Sequence, residues 1–374
     1  MSKILFKQFF GGKNHSWMHV AAGIATAAKQ LNNDVDIFST DGAGYAPKDL
    51  EGDIIGYVQE NETQIFGRPP TEKYDAQISY TCIKNFPHYF THCDKNRLGI
   101  WCYEWLNGMP NGFAKHYKSV DYLCPPSNFA KRVFVEAGVP EDRIRVISHG
   151  INSDDYRKTD KIELNTGKSF VLCANIAQNH LRKNIPGLLD AYGKAFTNKD
   201  DVCLILKGKD KKVTMGFEVS LSDCIKEFNR KYPKHAEMKL MSQYIPDMSA
   251  LYRSVDAFFT MTHCECYLMP ALEILASSKI CIAPRWGGQM DFLNDDNSLL
   301  IDGKETRATP ESMYWESKNN AIWFQPSVDD AVSKLRYAYN NYEALNKKVE
   351  AQREQVLETY NWTTITKRFL ALMQ

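Results

Sequence analysis

Three observations predict an α/β fold with parallel sheets, divided between two domains. Apolar strand-like runs alternate with helix-like segments throughout the sequence, the pattern that lays helices against a parallel sheet. The alternation breaks at a polar, charged stretch, 152–168, and restarts at residue 169. The length of 374 residues suits two domains of ordinary size.

In the first half the predicted strands are 4–9, 35–38, 54–58, 76–81, 98–103, 122–124 and 144–147. The helices between them include 15–31 and 127–137, the second followed by Gly138, a residue suited to a helix stop. The domain boundary is placed after residue 150, giving domains 1–150 and 151–359. In the second, strand 169–176 leads to helix 185–196, strand 202–207, helices 220–231 and 248–255, and strand 256–261. Helices 328–341 and 342–359 follow, and residues 361–373 read as an amphipathic closing helix.

Composition narrows the function classes. With 44% hydrophobic and 24% charged residues, the chain is that of a globular enzyme with a sizeable core. Its formal net charge is +1, and residues 1–150 carry as many acidic as basic side chains. There is thus no overall field to draw it to nucleic acid or an anionic membrane. The ten cysteines sit mostly in apolar strand-like runs, as Cys173 and Cys203 do, which predicts reduced core thiols and a cytoplasmic location. The amino terminus reads as neither signal peptide nor membrane span.

The most informative stretch is His263-Cys264-Glu265-Cys266-Tyr267-Leu268-Met269-Pro270-Ala271-Leu272-Glu273. Pro270 is expected as the first residue of a helix, where its missing N–H would be unpaired anyway. Glu265 would then sit in the strand-to-helix loop and Glu273 in the first helical turn. The unpaired N–H groups of that turn and the positive end of the helix dipole suit a phosphate or diphosphate. The two carboxylates beside it are acceptors for hydroxyls. A strand at 280–283 and the turn Trp286-Gly287-Gly288 follow, so the motif lies at the carboxyl end of a strand in a parallel sheet, where such sheets take ligands. The structural alternative makes Glu273 a helix-stabilising charge and Glu265 a solvated loop residue.

This stretch resembles the E-x7-E motif of retaining glycosyltransferases of family four, and other pieces follow in that family's order. Ser148-His149-Gly150-Ile151-Asn152 is similar to its domain-joining segment, and residues 175–189, with Arg182-Lys183-Asn184, resemble its basic diphosphate-binding segment. Gly11-Gly12 matches its amino-terminal glycine loop. The resemblance implies the GT-B fold, two Rossmann-like parallel-sheet domains facing across a cleft. The acceptor domain would come first and the donor domain second, with the closing helix, about 360–374, packed back onto the first.

It also implies roles. Glu273 would accept from the ribose hydroxyls, Glu265 would contact the donor sugar, and the backbone N–H groups of Tyr267, Leu268 and Met269 would face the diphosphate. Arg182 and Lys183 would stabilise the leaving group, the guanidinium by a bidentate grip and the ammonium as a point charge. Gly11 and Gly12 would let the backbone approach the ligand, continuing into the polar and aromatic Lys13-Asn14-His15-Ser16-Trp17. Retention would proceed on one face of the sugar, the departing phosphate helping to take the acceptor proton.

The chain departs from the family in three places. Arg182 and Lys183 are adjacent, Cys266-Tyr267-Leu268 replaces a glycine-phenylalanine-glycine sequence, and Glu104 stands near a strand end where many relatives carry a histidine. Glu104 is expected to line the site. His88, His116 and His149 are lone histidines, more often ordinary residues than catalysts. No metal is expected. His263-Cys264-x-Cys266 lacks a second pair at zinc spacing, and Asp34-Val35-Asp36 begins a strand, where alternate side chains point apart.

The expected activity is therefore retaining transfer of a sugar from a nucleotide-diphosphate sugar to a hydroxyl on a glycan or glycoconjugate, without a cofactor. The alternatives are a related sugar epimerase or phosphorylase, transfer to a modified base in DNA, and non-catalytic binding of a sugar nucleotide or glycan. The neutral first half weighs against nucleic acid.

Overall fold

The computed structural model describes residues 2–8, 16–39, 64–66, 73–176, 180–210, 213, 216–313 and 320–373. It divides into two units, one comprising 1–103, 111–153 and 358–374 and the other 104–110 and 154–357.

The described strands of the first unit are β1 (Lys3–Gln8), β2 (Asp34–Ser39), β3 (Gln64–Phe66), β4 (Ala76–Tyr80), β5 (Arg97–Ile100) and β6 (Tyr122–Leu123). They form one sheet in the order β3-β2-β1-β4-β5-β6, every pair parallel. Helices cover such a sheet on both faces, so its central strands are buried on both sides even where polar residues alternate, as Gln77 and Ser79 do in β4. All five residues of β4 are buried. The predicted strand at 54–58 lies outside the described residues. The one predicted at 144–147 is assigned a single bridge, Leu123 to Ile144, beside which the Arg145 and Ile147 N–H groups donate to the Leu123 and Pro125 carbonyls at 2.9 and 3.0 Å.

The helix Ser16–Gln30 is rich in alanine and buried along most of its length, from Met18 to Ala28. Against it lies the helix Trp362–Leu370, capped by Asn361, whose side chain accepts from the Thr364 N–H at 2.8 Å. The Trp362 indole occupies space that only glycine leaves open: a Cβ on Gly23 would meet the ring at 2.2 Å, and one on Gly150 would meet it at 2.8 Å. Ile365 and Phe369 complete the packing into a core with Ile4, Ile24 and Ile78.

The second unit repeats the architecture. Strands β7 (Phe170–Asn175), β8 (Val202–Lys207), β9 (Glu237–Met241), β10 (Ala257–Phe259), β11 (Ile280–Pro284) and β12 (Ser298–Ile301) form a parallel sheet ordered β12-β11-β10-β7-β8-β9. Both sheets thus carry the doubly wound Rossmann order, with a reversal beside the first strand of each. An antiparallel hairpin, β13 (Gly303–Arg307) with β14 (Ile322–Pro326), follows. The segment 104–110 groups with this second unit although it lies within the first 150 residues. Trp105 and Leu106 are fully buried, and the Leu106 carbonyl accepts from the Ile322 N–H at 2.8 Å. No helix among the described residues is long and apolar enough to cross a membrane.

Candidate functional site

The site is built at the reversal point of the second sheet, where the segments after β7 and β10 meet. After β7 the chain makes a short 3-10 turn, Leu181–Lys183, ending on Asn184 in the left-handed conformation, with φ of 49°. Asn184 caps the helix Ile185–Ala195 by accepting from the Gly187 N–H at 3.2 Å, and it donates to the Met261 carbonyl at 3.0 Å. Gly187 leaves room for this cap, since a Cβ there would lie 2.6 Å from the Asn184 side chain. The turn therefore presents Arg182 and Lys183 in a fixed direction.

The segment after β10 is locked to that turn through the Arg182 carbonyl. It accepts from the His263 N–H at 2.7 Å and from the Thr262 hydroxyl at 2.9 Å. The hairpin secures the same loop from its other side. The Phe324 N–H donates to the His263 carbonyl at 2.9 Å, and the His263 ring stacks on Trp323 with centroids 4.0 Å apart. The Gly288 N–H donates to the Glu265 carbonyl at 2.8 Å. Gly287, with φ of 101°, allows this approach, because a Cβ would lie 2.9 Å from that carbonyl.

These constraints bring three predicted residues onto one oxygen. Arg182 Nη1 lies 2.7 Å and Lys183 Nζ 2.6 Å from Glu265 Oε1, and the Thr262 hydroxyl is 3.3 Å from the same atom. Glu104 joins more loosely, with its Oε1 3.8 Å from Arg182 Nη2. Burial alone would push the Glu265 carboxyl up; the guanidinium and ammonium beside it overcome burial and hold it at about 2. Glu104 shows the opposite balance. Burial raises its pKa, with Glu265 adding to the rise, and Arg182 compensates only in part. Burial likewise lowers Lys183, against the pull of Glu265. His180, at the start of the turn, is lowered to about 4 by burial and by the two cations.

Glu273 keeps different company. The helix begins at Met269, with Leu268 as its cap in the left-handed region at φ of 63° and Pro270 within the first two positions. Glu273 is consequently one turn inside the helix, and the first turn contains no acidic residue, contrary to the sequence expectation. Proline is tolerated at the second position as well as the first, since neither N–H has an intrahelical acceptor. A helical side chain leans toward the amino end of its helix, and the Glu273 carboxyl lies among Tyr252 and Tyr156. Burial raises it to about 7, and Tyr252 moderates the rise.

Tyr267 and Leu268 are buried, Tyr267 packing on Phe292 with centroids 5.1 Å apart. Gly11 and Gly12 lie outside the described residues. His149 is buried in the first unit, where the His88 carbonyl accepts from Lys7 Nζ at 2.8 Å. In β2, Asp36 accepts from the Tyr74 hydroxyl at 2.7 Å. His263 turns Nδ1 to the Phe324 carbonyl at 2.8 Å, and no group of three or more potential metal-ligating side chains comes together among the described residues. Sequence reasoning missed the positioning residues Asn184 and Thr262. The available signal was an asparagine directly before Ile185-Pro186, a cap followed by a helix start. Tyr156 and Tyr252 carried no such signal.

No protein-family model matches the chain, and no curated protein matches it in sequence. Solved structures do match. A glycosyltransferase from Rickettsia africae aligns over 100% of this chain and 98% of its own, with a TM-score of 0.70 and 14% identity. HepE of Anabaena, in complex with UDP-glucose, aligns over 99% of both chains with a TM-score of 0.68 and 12% identity. Sucrose-phosphate synthase from Thermosynechococcus elongatus covers 100% of this chain and 98% of its own, with a TM-score of 0.68 and 13% identity. The fold is GT-B, two Rossmann-like parallel-sheet domains.

Proposed function

We propose that this chain is a glycosyltransferase that moves a sugar from a nucleotide-diphosphate sugar to an acceptor hydroxyl, with retention of anomeric configuration and without a metal. One observation carries the reading: two buried cations, Arg182 and Lys183, share one carboxylate oxygen of Glu265 at the reversal point of a doubly wound sheet. Ligands of such sheets bind at that point, and paired cations there suit a diphosphate.

In the free protein Glu265 supplies the negative charge that the cations require. A diphosphate brings its own, so the cations can turn to its oxygens while Glu265 accepts from a sugar hydroxyl. The bond from the anomeric carbon to the diphosphate oxygen then breaks with its electron pair on that oxygen, where Arg182 and Lys183 stabilise the charge. The acceptor oxygen bonds to the same face of the anomeric carbon, and its proton passes to the departing phosphate. Glu273 would hold the ribose hydroxyls, the backbone at Tyr267, Leu268 and Met269 would face the diphosphate, and Glu104, beside Arg182, would line the sugar end. Gly11 and Gly12 are proposed to let the backbone approach the donor. The acceptor would be a hydroxyl of a glycan or glycoconjugate.

The HepE structure with UDP-glucose supports testing uridine diphosphate sugars first. Incubation with a panel of nucleotide sugars in EDTA should release nucleoside diphosphate from at least one by slow hydrolysis, and NMR of the transferred sugar should give the donor's anomeric configuration. No release from any donor would refute the reading, inverted product would refute retention, and activity restored only by a divalent ion would refute metal independence.

A further inference from the structure

Beside the donor site one buried hydroxyl is left without a partner. Tyr252, in the helix Met248–Ser254, is fully buried, and among the described residues its hydroxyl makes no hydrogen bond. It faces Glu273 on the helix Met269–Ala276 and Asn175 at the end of β7, in close hydrogen-bonding contact with neither. The phenol is not free to swing elsewhere, because its helix is fixed at both ends. At the amino end the Asp247 carboxylate accepts from the Ser249 and Ala250 N–H groups at 2.8 and 3.2 Å. At the other end Arg253 donates through Nε to the Asp160 carbonyl at 2.8 Å and through Nη2 to Asp160 Oδ1 at 2.9 Å.

An unpaired buried donor destabilises a fold, and phenylalanine would fill the same space without that cost. The hydroxyl therefore serves a state other than the free one. Of the two groups before it, only Glu273 changes charge. That residue is partly exposed, so a ligand can reach it, and burial holds its carboxyl at about 7. Tyr156 is the other titratable group facing it. Cys173 of β7 faces Tyr252, and the carboxylates of Asp155 and Asp247 lie toward Tyr156. None of these is a cation. An ionised Glu273 thus depends on hydrogen-bond donors, and a phenol donating to a carboxylate forms a bond roughly twice as strong as a neutral one.

We propose that Tyr252 is a positioning residue of the donor site, its hydroxyl donating to one oxygen of the Glu273 carboxylate when ribose hydroxyls occupy the other. This role rests on the reading of Glu273 as the ribose partner, and adds the residue that holds the carboxylate in place once it forms.

Tyr252→Phe tests it by calorimetry with UDP, GDP and ADP, and with pyrophosphate, which lacks a ribose. At pH of about 8 the nucleoside diphosphate that wild type binds best should bind the variant at least about tenfold more weakly, and pyrophosphate within about twofold of wild type. The rise of affinity with pH should move to higher pH in the variant, since the phenol no longer favours the ionised carboxyl; the ligand's own titration is common to both proteins. With Gln at position 273 the loss from Tyr252→Phe should shrink to no more than about threefold. At pH of about 6, without ligand, the variant should melt at or above wild type, because an unpaired hydroxyl has been removed. Unchanged nucleotide affinity, an equal loss for pyrophosphate, an unmoved pH profile, an equal loss in the Glu273→Gln background, or a variant that melts lower or does not fold each overturns the positioning role alone. If wild type binds none of the nucleoside diphosphates, the ribose-site reading falls, and this role with it.

Discussion

Lys183 Nζ lies 2.6 Å from Glu265 Oε1, an ion pair between residues 82 positions apart, and Arg182 reaches the same oxygen. Removing that carboxylate leaves two buried cations side by side. Loss of one partner from a buried pair costs about 3–5 kcal/mol, so Glu265→Ala should melt well below wild type. Pyrophosphate should then raise the melting temperature of the variant more than that of wild type, as measured by differential scanning fluorimetry. Equal shifts in both proteins would show that these cations do not receive the anion.

Asn184 acts as helix cap, tie to Met261 and left-handed pivot of the basic turn. Asn184→Ala should cost about 1–3 kcal/mol in denaturant unfolding, since both a cap and a buried hydrogen bond are lost. Because the pivot also aims Arg182 and Lys183, nucleoside diphosphate affinity by calorimetry should fall with it. Unchanged affinity would place the aim of the turn elsewhere.

Glu273 offers a pH test with a definite sign. Its carboxyl is raised to about 7 in the fold, against about 4.3 in an unfolded chain. The folded state holds the proton more tightly, so this contribution to stability is full below pH of about 4.3 and is lost as pH rises through about 7. Glu273→Gln should therefore gain stability relative to wild type across that window in thermal melts. If the ionised carboxylate holds the ribose, nucleoside diphosphate affinity should climb between pH of about 6 and 8 in wild type and stay flat in the variant.

At Gly23, where an added Cβ would meet the Trp362 ring at 2.2 Å, alanine should destabilise by about 1–3 kcal/mol through overpacking. Combining Gly23→Ala with Trp362→Leu should recover part of that loss, which a double-mutant cycle measures directly. Strict additivity would mean that the two positions do not touch.

The central strands of the second unit were legible as apolar runs, as in Val202-Cys203-Leu204-Ile205-Leu206, and β4 by its alternation, Ala76-Gln77-Ile78-Ser79-Tyr80. The hairpin β13–β14 was not. The residues of β13, Gly303–Arg307, are mostly exposed and charged, so they carry neither alternation nor apolar character. β9, Glu237–Met241, is an edge strand with only Met241 buried, and its short Glu-Met-Lys-Leu alternation is too brief to mark a strand. Motif spacing singled out Arg182, Lys183 and Glu265, but nothing local could indicate that Glu104 packs with a unit otherwise beginning fifty residues later. That grouping depends on the pairing of Leu106 with Ile322, a contact across more than two hundred residues. Glu273 was read one position too early, in the first turn rather than just beyond it, because proline marks a helix start only to within a position.

The seating of Trp362 on Gly23 and Gly150 also bears on how the protein is made. The second unit has its whole chain once residue 357 has been synthesised, whereas the first still lacks 358–374. On the ribosome the segment translated earlier must therefore wait with its Gly23 face bare.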